Sequence, residues 1–174
     1  MSVGGPRGAE TADRVLVLGI DPGTAVTGYG VVARKGVGAV SLVECGVVRT
    51  SAGTPLAERI REIYLEVDAL LERHQPFAVS VENVFQGKNV RSALTLGHAR
   101  GAILLAAALR EMRIAEYAPR EIKKAVVGTG DATKDQVAFM VKQHLRLKEA
   151  PTPADAADGV AAALCHCLVG SFPR

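Results

Sequence analysis

Four acidic residues stand where the surrounding sequence would bring carboxylates together. Asp21 closes the apolar run Val15-Leu16-Val17-Leu18-Gly19-Ile20, and Glu82 closes a second one, Phe77-Ala78-Val79-Ser80-Val81. An apolar run bounded by turn residues reads as a strand buried on both faces, so each acid sits at the end of a buried strand. Asp155 and Asp158 lie three apart at the start of an apolar helical stretch. Their side chains therefore share one helix face, and Ala156 and Ala157 between them leave room for close approach to a sheet. Each acid also has a plainer reading. Asp-Pro-Gly is a common turn, and acids in a first helical turn cap the helix and meet its dipole, each worth about 0.3 to 1 kcal/mol. Together the four offer hard oxygen ligands, which suit Mg²⁺ or Mn²⁺ and not zinc, for which His or Cys would be needed. Two such ions about 4 Å apart activate a water and stabilise the leaving oxygen of an in-line phosphoryl displacement.

The charge distribution fits a polyanionic substrate. Residues 88–148 hold twelve Lys and Arg against five Asp and Glu, a balance of +7, while the remainder holds nine against thirteen, a balance of −4. A solvated face explains such a bias by itself. Beside a carboxylate site it fits nucleic acid better, because cationic side chains that neutralise phosphates release counterions and supply much of the affinity. The composition is 48% hydrophobic but only 4% aromatic, with no Trp, so the core must be aliphatic. A chain of 174 residues is expected to form one domain that buries about 70% of its unfolded surface without a disulfide or metal staple. Residues 1–13, polar and Gly-rich, are expected to be a disordered tail, and residues 14–174 the single domain. No apolar run approaches the roughly 18 residues of a bilayer span, and the first residues lack the apolar middle of a signal peptide. A soluble, cytoplasmic protein with no membrane partner is expected. The odd set Cys45, Cys165 and Cys167 fits a reducing compartment. Cys165-His166-Cys167 has metal-binding residue types, but neighbours on a helix point about 100° apart and cannot close on one ion.

The elements that must position the acids follow in order. Residues 28–34 and 40–48 read as the second and third strands, joined by the short connection Lys35-Gly36-Val37-Gly38, and connections this short imply antiparallel neighbours. Thr54 is expected to cap a helix with Pro55 at its first position, and the helix stops near His74 before Pro76. After the Phe77 to Val81 strand, a loop over 83–89 leads into a long apolar helix over 90–112. Gly97 and Gly101 lie four apart on one face of it, which fits either burial within the domain or a two-fold subunit interface. A short strand over 114–117, a helix from Pro119, a helix over 134–145 and a last helix over 155–169 complete the chain. Hairpin strands followed by strands alternating with helices give an α/β class, with a five-stranded mixed sheet covered by helices.

The segments Gly19-Ile20-Asp21-Pro22-Gly23-Thr24, Thr27-Gly28-Tyr29-Gly30, Val81-Glu82-Asn83-Val84-Phe85, Ala99-Arg100-Gly101, Val126-Val127-Gly128-Thr129-Gly130 and Ala154-Asp155-Ala156-Ala157-Asp158 occur in one order. In that order and at that spacing, the chain resembles the bacterial Holliday-junction resolvase family RuvC from about residue 14 to 169. The resemblance implies an RNase H-like fold, its first three strands antiparallel and helices on both faces. It also implies a homodimer joined largely through the second long helix. The implied activity is a Mg²⁺-dependent endodeoxyribonuclease that places paired symmetric nicks in four-way DNA junctions during recombination and repair. The ends would be 5′-phosphate and 3′-hydroxyl. By position it makes Asp21, Glu82, Asp155 and Asp158 the catalytic and metal-binding acids, holding two Mg²⁺ ions, or Mn²⁺, per site. Phe85 matches an aromatic that stacks on an unpaired base, and Lys123 and Lys134 match basic residues beside the cut strand. Lys88, Arg91, Arg120 and Lys124 are further candidates for phosphate contacts. The implied partners are junction DNA, a second copy of the chain and the RuvA and RuvB branch-migration complex.

Other classes compete with this reading. The first motif also resembles the phosphate loop of actin-like kinases, but that fold needs two such domains and a second phosphate loop. A non-catalytic junction-binding protein would have no need of all four acids. A nuclease acting on RNA·DNA hybrid is the nearest competitor, distinguished by offering a hybrid duplex beside a DNA junction.

Overall fold

A computed structural model describes residues 14–36, 38–83 and 90–172. Among these residues the chain forms five strands, β1 (Arg14–Asp21), β2 (Val26–Lys35), β3 (Ala39–Arg49), β4 (Ala78–Glu82) and β5 (Arg113–Tyr117). The helices are α1 (Leu56–His74), α2 (Val90–Leu109), α3 (Pro119–Val127), α4 (Lys134–His144) and α5 (Ala154–Val169). The sheet order is β3-β2-β1-β4-β5. The two short connections make β1, β2 and β3 antiparallel, and the crossovers through α1 and α2 lay β4 and β5 parallel to β1 and to each other. The α/β class and the mixed five-stranded sheet expected from the sequence are both present.

Alternation along the strands divides the core in two. Leu18, Ile20, Val31, Val79 and Val81 face α1 and α2, together with Ile63, Leu71, Ala99 and Ile103. Val17 and Val32 face α3, α4 and α5, together with Ile122, Val141, Val160 and Leu164. Helices therefore cover both faces. Leu18, Ile20, Ile63, Leu71, Ile103 and Leu164 are fully buried, and each such side chain contributes about 1.5–3 kcal/mol of burial free energy.

The contact of α5 with the sheet is closer than side chains would permit. A Cβ on Gly19 would collide with the backbone of Gly159 and Ala163, and one on Gly28 with the carbonyl of Asp155. From the helix side, a Cβ on Gly159 would lie 2.5 Å from Tyr29 Cα. Gly19, Gly28 and Gly30 thus form a bare floor on which the α5 backbone rests. Ser80, the one polar residue of β4's buried stretch, donates its hydroxyl to Ala162 O at 2.7 Å and ties the same helix to the central strands. With eleven of its sixteen residues buried, α5 has almost no solvent face.

Three expectations need correction. Thr54 does not cap α1: Pro55 occupies that position with an extended ψ of 143°, its carbonyl accepts from the Glu58 and Arg59 N–H groups, and the helix starts at Leu56. The second long helix ends at Leu109 and not at Met112, because Glu111 takes a left-handed conformation (φ 53°) and turns the chain into β5. Helix α2 is also long and apolar enough to cross a bilayer by length and composition, contrary to expectation. Its few charges, Arg91 and Arg100, break the run without outweighing its Leu, Ala and Ile content. One face of α2, Ala99, Ala102, Ile103, Ala106 and Ala107, is buried in the domain. The other carries exposed Val90, Leu94, Leu105 and Leu109, and a Cβ at Gly97 or Gly101 would meet nothing within 4 Å among the described residues. Burial within the domain therefore does not account for the two glycines.

Gly19→Ala is expected to cost about 3 kcal/mol or more, since the added methyl meets backbone that cannot rotate away, lowering Tm by roughly 6–12 °C. Thermal melts check this, and a Gly19→Ala melt within about 2 °C of wild type would contradict the close contact.

Candidate active site

Strand parity decides which way the acids point. Asp21 is in phase with Val17 and Gly19, and Glu82 with Ala78 and Ser80, so both carboxylates emerge on the α5 face of the sheet. Ile20 pairs with Val81 in the parallel register, which puts the two acids side by side one step later, at the strand ends. Asp21 is registered opposite Gly28, and the space beside Gly28 is filled by the Asp155 backbone. The glycine floor thus delivers the first turn of α5 to the end of β1. Ligand oxygens of Asp21, Asp155 and Asp158 lie within 4.8 Å of one another. Glu82 stands outside that trio but lines the same cleft of about 300 Å³, with Asp21, Asp158, Lys123 and Lys134.

The turn after Asp21 is held from several sides. Thr27 donates its hydroxyl to Gly23 O at 2.6 Å, Arg59 donates to Thr24 O at 2.6 Å, and the Thr50 hydroxyl also donates to Thr24 O. The chain bends at Thr24 and Ala25 and not at the expected Pro22-Gly23, and the Asp21 side chain lines the cleft.

The acids carry an electrostatic load. Burial, then the carboxylates of Asp158 and Asp155, push Asp21 up to about 6 against the pull of Lys134. Burial, then Asp21 and Asp158, push Glu82 up to about 7, with Lys134 and Lys123 opposing. The Lys134 ammonium donates to Asp158 Oδ2 at 2.7 Å, and this bond raises its own affinity for the proton. A site that gathers carboxylates at the cost of mutual repulsion, with oxygen donors only, fits hard divalent cations.

The other candidates fall differently. Lys123 and Lys134 line the cleft as expected. Arg120 does not: it pairs with Asp131 at 2.8 Å, and both side chains are exposed. Neither Lys124, exposed on α3, nor Arg91, at the start of α2, is among the cleft-lining residues. Phe85 and Lys88 lie outside the described residues. Sequence reasoning overlooked Ser80, Arg59 and Thr27, which hold the elements bearing the acids. A polar residue inside the apolar β4 run was the available signal for Ser80.

Raised carboxyl values destabilise the ion-free fold as pH rises. Folded Asp21 and Glu82 hold protons that the unfolded chain has released, so their contribution is full below about pH 4 and is lost as pH climbs through 6 to 7. Asp21→Asn should therefore stabilise the chelator-treated protein at pH 8 by about 1–2 kcal/mol, roughly 2–8 °C in Tm, and have little effect at pH 4. Mg²⁺ should raise the wild-type Tm and leave that of the variant nearly unchanged. A variant less stable than wild type at pH 8 would contradict the repulsion.

This geometry has close counterparts. The family model described as crossover junction endodeoxyribonuclease RuvC matches residues 17–166. The crossover junction endodeoxyribonuclease RuvC of Pelotomaculum thermopropionicum is 49% identical over 152 residues, covering 87% of this chain and 92% of that protein. That of Moorella thermoacetica is 48% identical over 153 residues, covering 87% and 90%. Thermus thermophilus RuvC in complex with a Holliday junction substrate superposes with a TM-score of 0.84 at 42% identity, covering 88% of this chain and 93% of that one. The yeast mitochondrial Holliday junction resolvase Ydc2 superposes with a TM-score of 0.67 at 11% identity, covering 88% and 78%, a likeness of fold alone. The fold is the RNase H-like one that the resemblance implied. On both sequence and structure, the chain belongs to the crossover junction endodeoxyribonuclease RuvC family.

Proposed function

We propose that the chain is a structure-selective endodeoxyribonuclease that resolves four-way DNA junctions in recombination and repair, by paired symmetric nicks leaving 5′-phosphate and 3′-hydroxyl ends. The observation that carries this reading is the cleft in which Asp21, Glu82 and Asp158 face Lys123 and Lys134, with Asp155 beside them, in a member of this family. Asp21, Glu82, Asp155 and Asp158 would hold Mg²⁺, or Mn²⁺, with two ions per site. Bound there, the ions would supply an activated water and neutralise charge on the scissile phosphate. The chain's own part is positional and electrostatic. Buried strand ends fix Asp21 and Glu82, the α5 first turn fixes Asp155 and Asp158, and Lys123 and Lys134 draw the phosphate backbone to the rim.

The basic segment 88–148 includes both cleft lysines and continues with Lys88, Arg91, Arg120 and Lys124, which we assign to backbone contacts outside the cleft. Phe85 follows Glu82 by three residues and is assigned to stacking on an unpaired base. A homodimer gives one site to each of two opposed strands. Its support is the outer face of α2, where exposed Leu94 and Leu105 flank Gly97 and Gly101, small enough for a second helix to approach. The RuvA and RuvB branch-migration complex is the proposed partner, and the cytoplasm the proposed compartment.

The test is cleavage of a mobile synthetic junction with Mg²⁺ or Mn²⁺, beside linear duplex and RNA·DNA hybrid. Symmetric ligatable nicks in the junction alone are expected; binding without cutting, or preference for the hybrid, would overturn the assignment. Asp21→Asn should lower the cleavage rate by more than about a hundredfold while junction affinity persists. Phe85→Ala should slow cleavage with ion binding intact. Because folded Asp21 and Glu82 keep their protons to about 6 and about 7, ion binding must expel them. The Mg²⁺ concentration for half-maximal rate should therefore fall as pH rises from 6 to 8.

A further inference from the structure

Glu82 is the last residue of β4, and its neighbours on both sides are held from the opposite face of the sheet. Asn83 continues the alternation that puts Val79 and Val81 on the α2 face. Its side-chain oxygen accepts from the Arg100 guanidinium at 2.7 Å, and its backbone N–H donates to Tyr117 O at 2.7 Å. Arg100 also pairs with Glu116, the β5 residue registered opposite Val81. One guanidinium from the middle of α2 thus grips both the residue after Glu82 and the cross-strand partner of the residue before it. The Arg100 side chain is 22% exposed and that of Glu116 41%, so the charge-assisted bond to Asn83 is partly shielded from water while the pair with Glu116 lies at the surface.

We propose that Arg100 is a positioning residue for Glu82, fixing the β4 end so that the Glu82 carboxylate faces the cleft. Without the side-chain grip the Asn83 N–H bond to Tyr117 O would be left to hold the strand end, and Glu82 would be freer to twist away from the cleft. The inference rests on the proposed role of Glu82 as a metal ligand. It also ties α2, whose outer face is the proposed dimer surface, to the carboxylate cluster through two contacts.

The test is Mn²⁺ binding by full-length wild type, Arg100→Met, Asn83→Leu, the double variant and Asp21→Asn, read from free Mn²⁺ by electron paramagnetic resonance at pH 8. Junction affinity in chelator and oligomeric mass are measured alongside. Arg100→Met is expected to weaken Mn²⁺ binding by about tenfold, the scale on which groups that orient metal ligands act. Asn83→Leu should give a similar loss, the double variant no further loss, and junction affinity and mass should stay at wild-type values. Asn83→Asp, which keeps an acceptor for the guanidinium, should restore binding toward wild type. Should Arg100→Met fold poorly, Asn83→Leu and Asn83→Asp carry the same comparison. Unchanged Mn²⁺ affinity in Arg100→Met and Asn83→Leu, additive losses in the double variant, or a changed mass would overturn the role of Arg100 alone. Wild type that binds no Mn²⁺, or Asp21→Asn that binds like wild type, would overturn the metal site itself.

Discussion

Helix α5 rests directly on the sheet backbone, and the site depends on that contact. Gly19 and Gly28 on one side and Gly159 on the other leave no side chain between helix and strands. A side chain at any of these positions would push α5 off the strands and hold Asp155 and Asp158 away from Asp21. The glycines let the two backbones meet and give up packing area in exchange. The area is recovered on the other sides of α5, where Ile122, Val137 and Val141 close over Ala161 and Leu164.

Bringing the carboxylates together sets their chemistry. Asp21 and Glu82 resist ionisation in the ion-free protein because each is buried and each faces other acids. Lys134 offsets part of the repulsion by bonding Asp158, and Lys123 faces Glu82 across the same cleft. The fold thus holds a carboxylate cluster that is unfavourable on its own and that the proposed cations would relieve. Under the proposed function the two lysines would serve both states, moderating the acids before ions bind and attracting a phosphate backbone afterwards.

Much of this was legible in the sequence, for physical reasons. Apolar runs ending in acids fix the strand ends, and a two-residue period then places Asp21 and Glu82 on one face once the register is known. The i, i+3 spacing puts Asp155 and Asp158 on one side of α5. Register itself was not legible, so the matching of Gly28 to Asp155 and of Gly19 to Gly159 could not be read from spacing. Nor was the placement of individual charges: Arg120 lies outside the cleft, paired at the surface with Asp131, eleven residues on. Thr54 carried a strong capping signal that Pro55 overrode by taking the extended conformation first. The apolar character of α2 was visible, but its division into a covered and an uncovered face required the neighbouring helix and strands to be placed.

Assembly of one divalent-ion site from β1, β4 and α5 by the glycine contact is tested most directly by anomalous difference maps from crystals grown with Mn²⁺. Strong peaks are expected within coordination distance of Asp21, Asp155 and Asp158, with Glu82 turned toward them. Peaks elsewhere, or none at saturating Mn²⁺ in a crystal whose cleft is open, would contradict it.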